Sequence, residues 1–277
     1  MAQLKVDFMS KILMRTVSIN VILPVDNILF GKEEEEVKPF KTLYLLHGIF
    51  GNNSDWISGT RIQSWAQEKN VAVVMPSGEN KFYINNEYTC ERFSDFIGIE
   101  LVEMTRKMFN LSNKREDTFI AGLSMGGYGA IINGLKFNNT FGYIAGLSSG
   151  LVLDEVIYGT EDGITAMMGG RQYYTGVFGD VSKIKGSDKD YEALAKRLSG
   201  SETAPKMYLC CGTEDFLIGV NRNFRDLLIE NGFDVTYEEG PGEHDWYFWD
   251  EYILKILNWL PLSESDQGIN SGNVGIK

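Results

Sequence analysis

Six short apolar runs, at 42–46, 71–75, 118–121, 143–147, 206–211 and 235–239, lack the polar alternation of a strand with one wet face. A strand reads this way when both of its faces are covered, so these runs predict a mainly parallel sheet between two layers of helices. The intervening segments fit, with helical spacing predicting helices at 61–69, 91–108, 128–136, 221–230 and 246–260, the last stopped by Pro261. Runs at 4–13 and 17–23 predict an antiparallel hairpin at one edge. Residues 31–39 follow, and the four like charges Glu33 to Glu36 repel one another, as in a solvated loop. The expectation is a single α/β domain over 1–262 and a polar, glycine-rich flexible tail at 263–277. One stretch breaks the rhythm. Residues 151–205 are rich in Gly and Tyr with little helix or strand signal before 191–198, and so long an irregular insertion is expected to be a lid or pocket wall.

Composition removes several function classes. At 277 residues and 43% hydrophobic the chain can bury a full core without disulfide or metal staples. A net charge of −12 repels phosphate backbones and anionic membranes, so neither nucleic acid nor a membrane surface is expected as a partner. Residues 1–20 interleave Lys5, Asp7, Lys11 and Arg15 with apolar side chains, which leaves no signal-peptide core or membrane span and predicts a cytoplasmic protein. Three cysteines, two of them adjacent at Cys210 and Cys211, suit a reducing compartment and match no zinc spacing.

Two segments fit G-x-S-x-G, the pattern of a serine raised on a sharp strand-to-helix bend: Gly122-Leu-Ser124-Met-Gly126 and Gly146-Leu-Ser148-Ser-Gly150. With 30 glycines in the chain the pattern alone is weak, and context must separate the two. Ser124 follows a strand and precedes small residues and then a helix, the order a nucleophile requires. Ser148 runs into the insertion and is expected to be a polar strand end bordering the pocket. Only two histidines are present. His244 lies between the last strand and the last helix, where the general base of such a hydrolase belongs, whereas His47 follows a buried strand and is expected to hold its loop. The acid should fall between serine and histidine at a strand end, and Cys211-Gly-Thr-Glu214-Asp215 supplies Asp215, with Glu214 as the other choice. Backbone N–H groups of Ile49 and Met125 are the expected oxyanion donors. Phe50 and Trp246 are the expected pocket side chains, with most aromatics of the last helix in the core.

Together, Leu43-Tyr-Leu-Leu-His-Gly-Ile-Phe-Gly-Asn, Phe119-Ile-Ala-Gly-Leu-Ser-Met-Gly-Gly-Tyr-Gly, Cys211-Gly-Thr-Glu-Asp-Phe-Leu and Gly242-Glu-His-Asp-Trp-Tyr-Phe-Trp resemble the tributyrin esterase group of α/β-hydrolases, relatives of esterase D and of carbohydrate esterases. The resemblance runs from about residue 4 to residue 261 and implies an α/β-hydrolase fold with a cap-like insertion. It also implies hydrolysis of short-chain carboxylic esters by a Ser124–His244–Asp215 triad with Ile49 and Met125 as oxyanion amides, without metal or organic cofactor. The expected partner is a small-molecule ester, and a homo-oligomer is compatible with the reading. Deacylation of carbohydrate is the rival enzyme reading. A glutathione thioesterase fits less well, because Ile49-Phe50-Gly51-Asn52 lacks the cysteine usual in that branch's oxyanion loop. The non-enzyme rival is an inactive hydrolase fold used as a binding module.

Overall fold

The computed structural model describes residues 1–26, 38–159 and 170–263. The Glu33–Glu36 run, Met167, Met168 and the tail beyond Ser263 lie outside them. Strands β1 (Ala2–Ser10) and β2 (Arg15–Leu23) form the edge hairpin, shorter than the first run suggested because the chain turns after Ser10. The Glu100 carboxylate accepts the Ser10 hydroxyl and the Lys11 amide N–H at 2.6 Å, fastening that turn to the body.

Next come β3 (Lys41–Leu46), the short helix α1 (Asp55–Gly59), α2 (Ile62–Glu68) and β4 (Val71–Pro76). Helix α3 (Leu101–Met108) continues out of Phe93–Asp95 through a π-helical turn at Phe96–Glu100. Strand β5 (Thr118–Leu123), α4 (Met125–Lys136) and β6 (Tyr143–Leu147) follow. The remaining elements are α5 (Leu153–Tyr158), α6 (Gly170–Phe178), α7 (Tyr191–Leu198), β7 (Lys206–Gly212), α8 (Ile218–Glu230), β8 (Val235–Gly240) and α9 (Trp246–Trp259). The eight strands of the described residues join one sheet in the order β1-β2-β4-β3-β5-β6-β7-β8, parallel from β4 onward.

Successive side chains of β3 serve two cores. Tyr44 and Leu46 pack with Ile120, Ile131 and Ile132 on one face, and Leu43 and Leu45 with Trp65, Ile253 and Leu257 on the other. That double burial is why the central strands show no polar alternation. Strand β8 departs from expectation: it is half-buried along its length, because it is the sheet's far edge. The insertion departs further, since its described residues include three helices, α5, α6 and α7, and a 3-10 turn at Val181–Lys183. Its sequence Gly-Arg-Gln-Tyr-Tyr-Thr-Gly-Val-Phe is a poor helix former, and α6 is held instead by burial of Tyr174, Val177 and Phe178. Among the described residues no helix is long and apolar enough to cross a membrane.

Candidate active site

The C-terminal end of β5 bends into α4 at Ser124, whose backbone takes φ 53° and ψ −119°. A non-glycine residue sits there only when its surroundings force it. The flanking glycines show how tight the bend is. A Cβ on Gly122 would lie 2.3 Å from the Gly126 carbonyl oxygen, and one on Gly126 would lie 2.4 Å from the Leu46 carbonyl oxygen. The serine is half-buried and its hydroxyl faces a cavity.

His244 stands on the loop between β8 and α9. Its Nε2 is 2.9 Å from Ser124 Oγ and its Nδ1 is 2.8 Å from Asp215 Oδ2. The ring is held between Phe216 and Trp249, each with its centroid 4.9 Å away. Asp215 lies just past β7 and is buried; its Oδ1 accepts the Leu217 N–H at 2.8 Å. Burial alone would raise this carboxyl, but His244, the Leu217 amide and Ser148 together hold it below the usual carboxylate range. Glu214 is exposed and points elsewhere: its carboxylate accepts the Gly242 N–H at 2.7 Å, tying the acid loop to the histidine loop.

His47 is buried and bonded through both ring nitrogens. Nδ1 donates to the Gly48 carbonyl at 2.6 Å, and Nε2 accepts the Gly78 N–H at 2.9 Å. Burial lowers its pKa against the partial compensation of Gly48 and Asp55, which matches a neutral ring bracing the loop 47–50. Tyr83 adds a bond from its hydroxyl to the His47 carbonyl at 2.9 Å. Ile49 follows in that loop, and Met125 provides the first amide of α4, which has no partner within its own helix. Both line the cavity beside Ser124.

The cavity holds about 610 Å³, a size ordinary for small-molecule sites. Phe50 and Trp246 line it. Of the insertion's aromatics, Tyr173 and Tyr174 line it too, the first fixed by its hydroxyl to the Asn80 carbonyl at 2.7 Å. Phe178 is instead packed into the core against Phe82 and Tyr128, and Tyr158 is exposed. Ser148 corrects another expectation. It is fully buried against Trp249, whose indole N–H it accepts at 3.2 Å, and does not border the cavity.

The sequence reading missed Phe82, Asp55, Val152, Glu155, Phe216, Val220 and Trp249 as lining residues. Phe216 adjoins Asp215, and Trp249 lies one helical turn past Trp246, which are the two cues available. Burial pushes the Cys211 thiol up to about 12, with Asp215 adding to it, and also raises the Cys210 thiol well above its ordinary value, as expected of packing cysteines. Among the described residues no group of three His, Cys, Asp or Glu side chains is placed to hold a metal ion.

The Esterase family model matches residues 10–260 of the chain. An acetyl esterase of Caldicellulosiruptor saccharolyticus is 45% identical over 263 residues, covering 94% of this chain and 98% of that one. Among solved structures, the substrate-bound fluorophosphonate-binding serine hydrolase F of Staphylococcus aureus superposes with a TM-score of 0.81 at 31% identity, over 94% of this chain and 98% of that one. An S-formylglutathione hydrolase of Staphylococcus aureus gives 0.79 at 31% identity with the same coverage. The α/β-hydrolase fold expected from the sequence is the fold these neighbours share.

Proposed function

The chain belongs to the Esterase family and is a carboxylic ester hydrolase, and from that premise we propose that it cleaves short-chain acyl esters, acetates foremost, through an acyl-enzyme on Ser124. In this reading Ser124 Oγ attacks the ester carbonyl while His244 Nε2 takes its proton. Asp215 fixes the imidazole tautomer and supports the imidazolium. The N–H groups of Ile49 and Met125 stabilise the developing oxyanion. His244 then protonates the departing alcohol, and the same steps run in reverse with water release the acid. The observation that carries the proposal is the continuous Ser124–His244–Asp215 hydrogen-bond chain opening on an apolar cavity. Mass spectrometry of enzyme quenched during p-nitrophenyl acetate turnover tests it. An acetyl group on Ser124 is expected, and acetyl on any other residue would refute it.

The cavity's charge helps choose among substrates. Its lining includes Asp55 and Glu155 and, among the described residues, no lysine or arginine. The carboxylates of a glutathione thioester would find no counter-charge there, whereas a neutral alcohol needs none. Phe50 and Trp246, both on the cavity wall, are the side chains we assign to contact with the substrate. Exposed Cys90 and buried Cys210 and Cys211 are all free thiols, in keeping with a cytoplasmic setting.

A further inference from the structure

The loop that carries the Ile49 N–H is a strained turn held from outside the cavity. Gly51 N–H donates to the Gly48 carbonyl at 3.3 Å, which closes a four-residue turn over residues 48–51. Of its two central residues, Phe50 has φ 67° whereas the φ of Ile49 is negative, which makes the turn type II. The position Phe50 occupies ordinarily belongs to glycine or asparagine, because a larger side chain disfavours positive φ. A phenylalanine there sheds its strain if the Ile49–Phe50 peptide flips, which converts type II to type I and returns φ to a negative value. Something must hold that peptide. Phe50 N–H donates to the side-chain carbonyl oxygen Oδ1 of Asn80 at 2.8 Å. After a flip the Ile49 carbonyl would face that same oxygen, so Asn80 attracts the observed form and repels the other. Phe50 is exposed, and water can solvate its N–H, but water both donates and accepts and so sets no preference between the two forms. Asn80 is itself fixed. Its main-chain carbonyl accepts the Tyr173 hydroxyl at 2.7 Å, and its neighbours Gly78 and Tyr83 donate to His47 Nε2 and the His47 carbonyl, each at 2.9 Å.

We propose that Asn80 is a positioning residue of the esterase reaction: it locks the turn 48–51 in its type II form and so keeps the Ile49 N–H in one place beside Ser124. This role rests on the reading of that N–H as an oxyanion donor. The donor lies one peptide before the one that would flip, and an oxyanion is stabilised by dipoles fixed before its charge develops. A turn that exchanges between two forms still lets the ester bind but holds its transition state less well.

Steady-state kinetics with p-nitrophenyl acetate on Asn80→Leu and Asn80→Asp, and on Asn80→Leu in a Phe50→Gly background, with Tm recorded for each, test this. Leucine keeps the shape without an acceptor, and aspartate restores the acceptor. Removing an oxyanion donor outright costs roughly 10²–10³ in kcat, so a donor kept but no longer fixed predicts a loss of roughly 10-fold in Asn80→Leu. KM should stay near wild type, and the Ki of a trifluoromethyl ketone, whose hemiketal oxygen mimics the oxyanion, should rise as kcat/KM falls. Asn80→Asp should keep most of kcat. Glycine is at ease at positive φ, so in the Phe50→Gly background the further change Asn80→Leu should cost much less than it does alone. A folded Asn80→Leu with wild-type kcat would overturn the proposal, as would an undiminished loss in the Phe50→Gly background or an equal loss in Asn80→Asp. Should Asn80→Leu fail to fold, Asn80→Ala is read by the same outcomes. Ile49→Pro separates the two levels, because proline suits the second position of a type II turn and lacks the N–H. If Ile49→Pro keeps wild-type kcat, the oxyanion reading falls and the role of Asn80 with it; if it is inactive while Asn80→Leu is wild type, only the role of Asn80 falls.

Discussion

Replacing Asp215 by asparagine changes one atom, and the structure dictates which way the new amide must face. Asp215 Oδ1 accepts the Leu217 N–H at 2.8 Å, and Oδ2 accepts His244 Nδ1–H at 2.8 Å. If the amide oxygen keeps the Leu217 bond, the NH2 group faces Nδ1 and forces it to become an acceptor. The imidazole proton then sits on Nε2, pointing at Ser124 Oγ 2.9 Å away, and the ring cannot take the serine proton. The opposite placement sets NH2 against the Leu217 N–H and leaves a buried donor without an acceptor, at about 1–3 kcal/mol, or roughly 5- to 150-fold in population. The wrong tautomer therefore dominates, and the imidazolium also loses its counter-charge. The same change in serine proteases costs about 10⁴ in kcat, so a loss of about 10³ to 10⁴, or about 4–5.5 kcal/mol, is expected here. The assay is p-nitrophenyl acetate turnover with active sites counted by a fluorophosphonate, alongside Tm to show that the fold survives. Glu214→Gln, which keeps an acceptor for the Gly242 N–H, should stay close to wild type. Retention of more than a tenth of kcat in Asp215→Asn, or a larger loss at Glu214, would refute the reasoning.

Gly126→Ala would set a Cβ 2.4 Å from one backbone carbonyl oxygen and 2.6 Å from the next, neither of which can move without shifting β3. Denaturant unfolding should show a loss of about 3 kcal/mol or more, with activity falling as the oxyanion loop shifts; a change under 1 kcal/mol would contradict the packing argument. His47 tests the buried neutral ring: its folded pKa is lowered, so its contribution is fully present above the ordinary value of ~6.5 and is lost as pH falls below it. Stability should therefore fall less steeply below that pH in His47→Gln, by up to about 1.4 kcal/mol per pH unit, and parallel slopes would show that the ring is not held neutral. Chain length is the remaining test, because Tyr173 and Tyr174 narrow the cavity beneath the insertion. The kcat/KM for p-nitrophenyl octanoate should lie at least ~10-fold below that for acetate or butyrate, and a flat or rising series would point to an open acyl site.

What could be read from the chain follows from which constraints are local. Leu43 to Leu46 announce a doubly covered strand because each residue is apolar whichever face it takes. Ser124 is legible because its elbow needs small residues at fixed offsets, and His244 because only one other histidine competes. Choosing Asp215 over Glu214 needed coordinates, since neighbouring residues at a strand end point in opposite directions and sequence does not say which faces the histidine. The insertion was harder. The helix Gly170–Phe178 has no propensity to advertise it, and the contacts that hold it, Phe178 on Phe82 and Tyr128, come from chain positions far apart. Ser148 was misplaced for the same reason: a strand end beside the nucleophile could face the cavity or the sheet interior, and Trp249, 101 residues later in the chain, decides it.

Strain and support meet at one place in this fold. Eight described non-glycine residues have positive φ, and Phe50, Phe82 and Ser124 of these line the cavity, while Tyr83 braces His47 and Ser148 lies behind Asp215. Each such residue costs on the order of 1–3 kcal/mol, which persists only where neighbouring contacts leave no relaxed alternative. Here those contacts can be named. Phe50 N–H is held by Asn80 at 2.8 Å, and Tyr83 presses on Gly78 and Gly129, where any Cβ would come within 2.4 Å of its ring. Ser124 is laced to β6 through Leu147 and Gly150. Relaxing the elbow would break the β6 bonds and move Ser148, whose N–H donates at 2.7 Å to the Cys210 carbonyl of β7, the strand that leads to Asp215. Ser124, Asp215 and the loop 47–50 are thus coupled through backbone rather than through solvent-exposed side chains. Substitutions within this scaffold should therefore lower kcat, whereas changes to Tyr173, Tyr174 or Val152 on the insertion side should alter which esters are accepted.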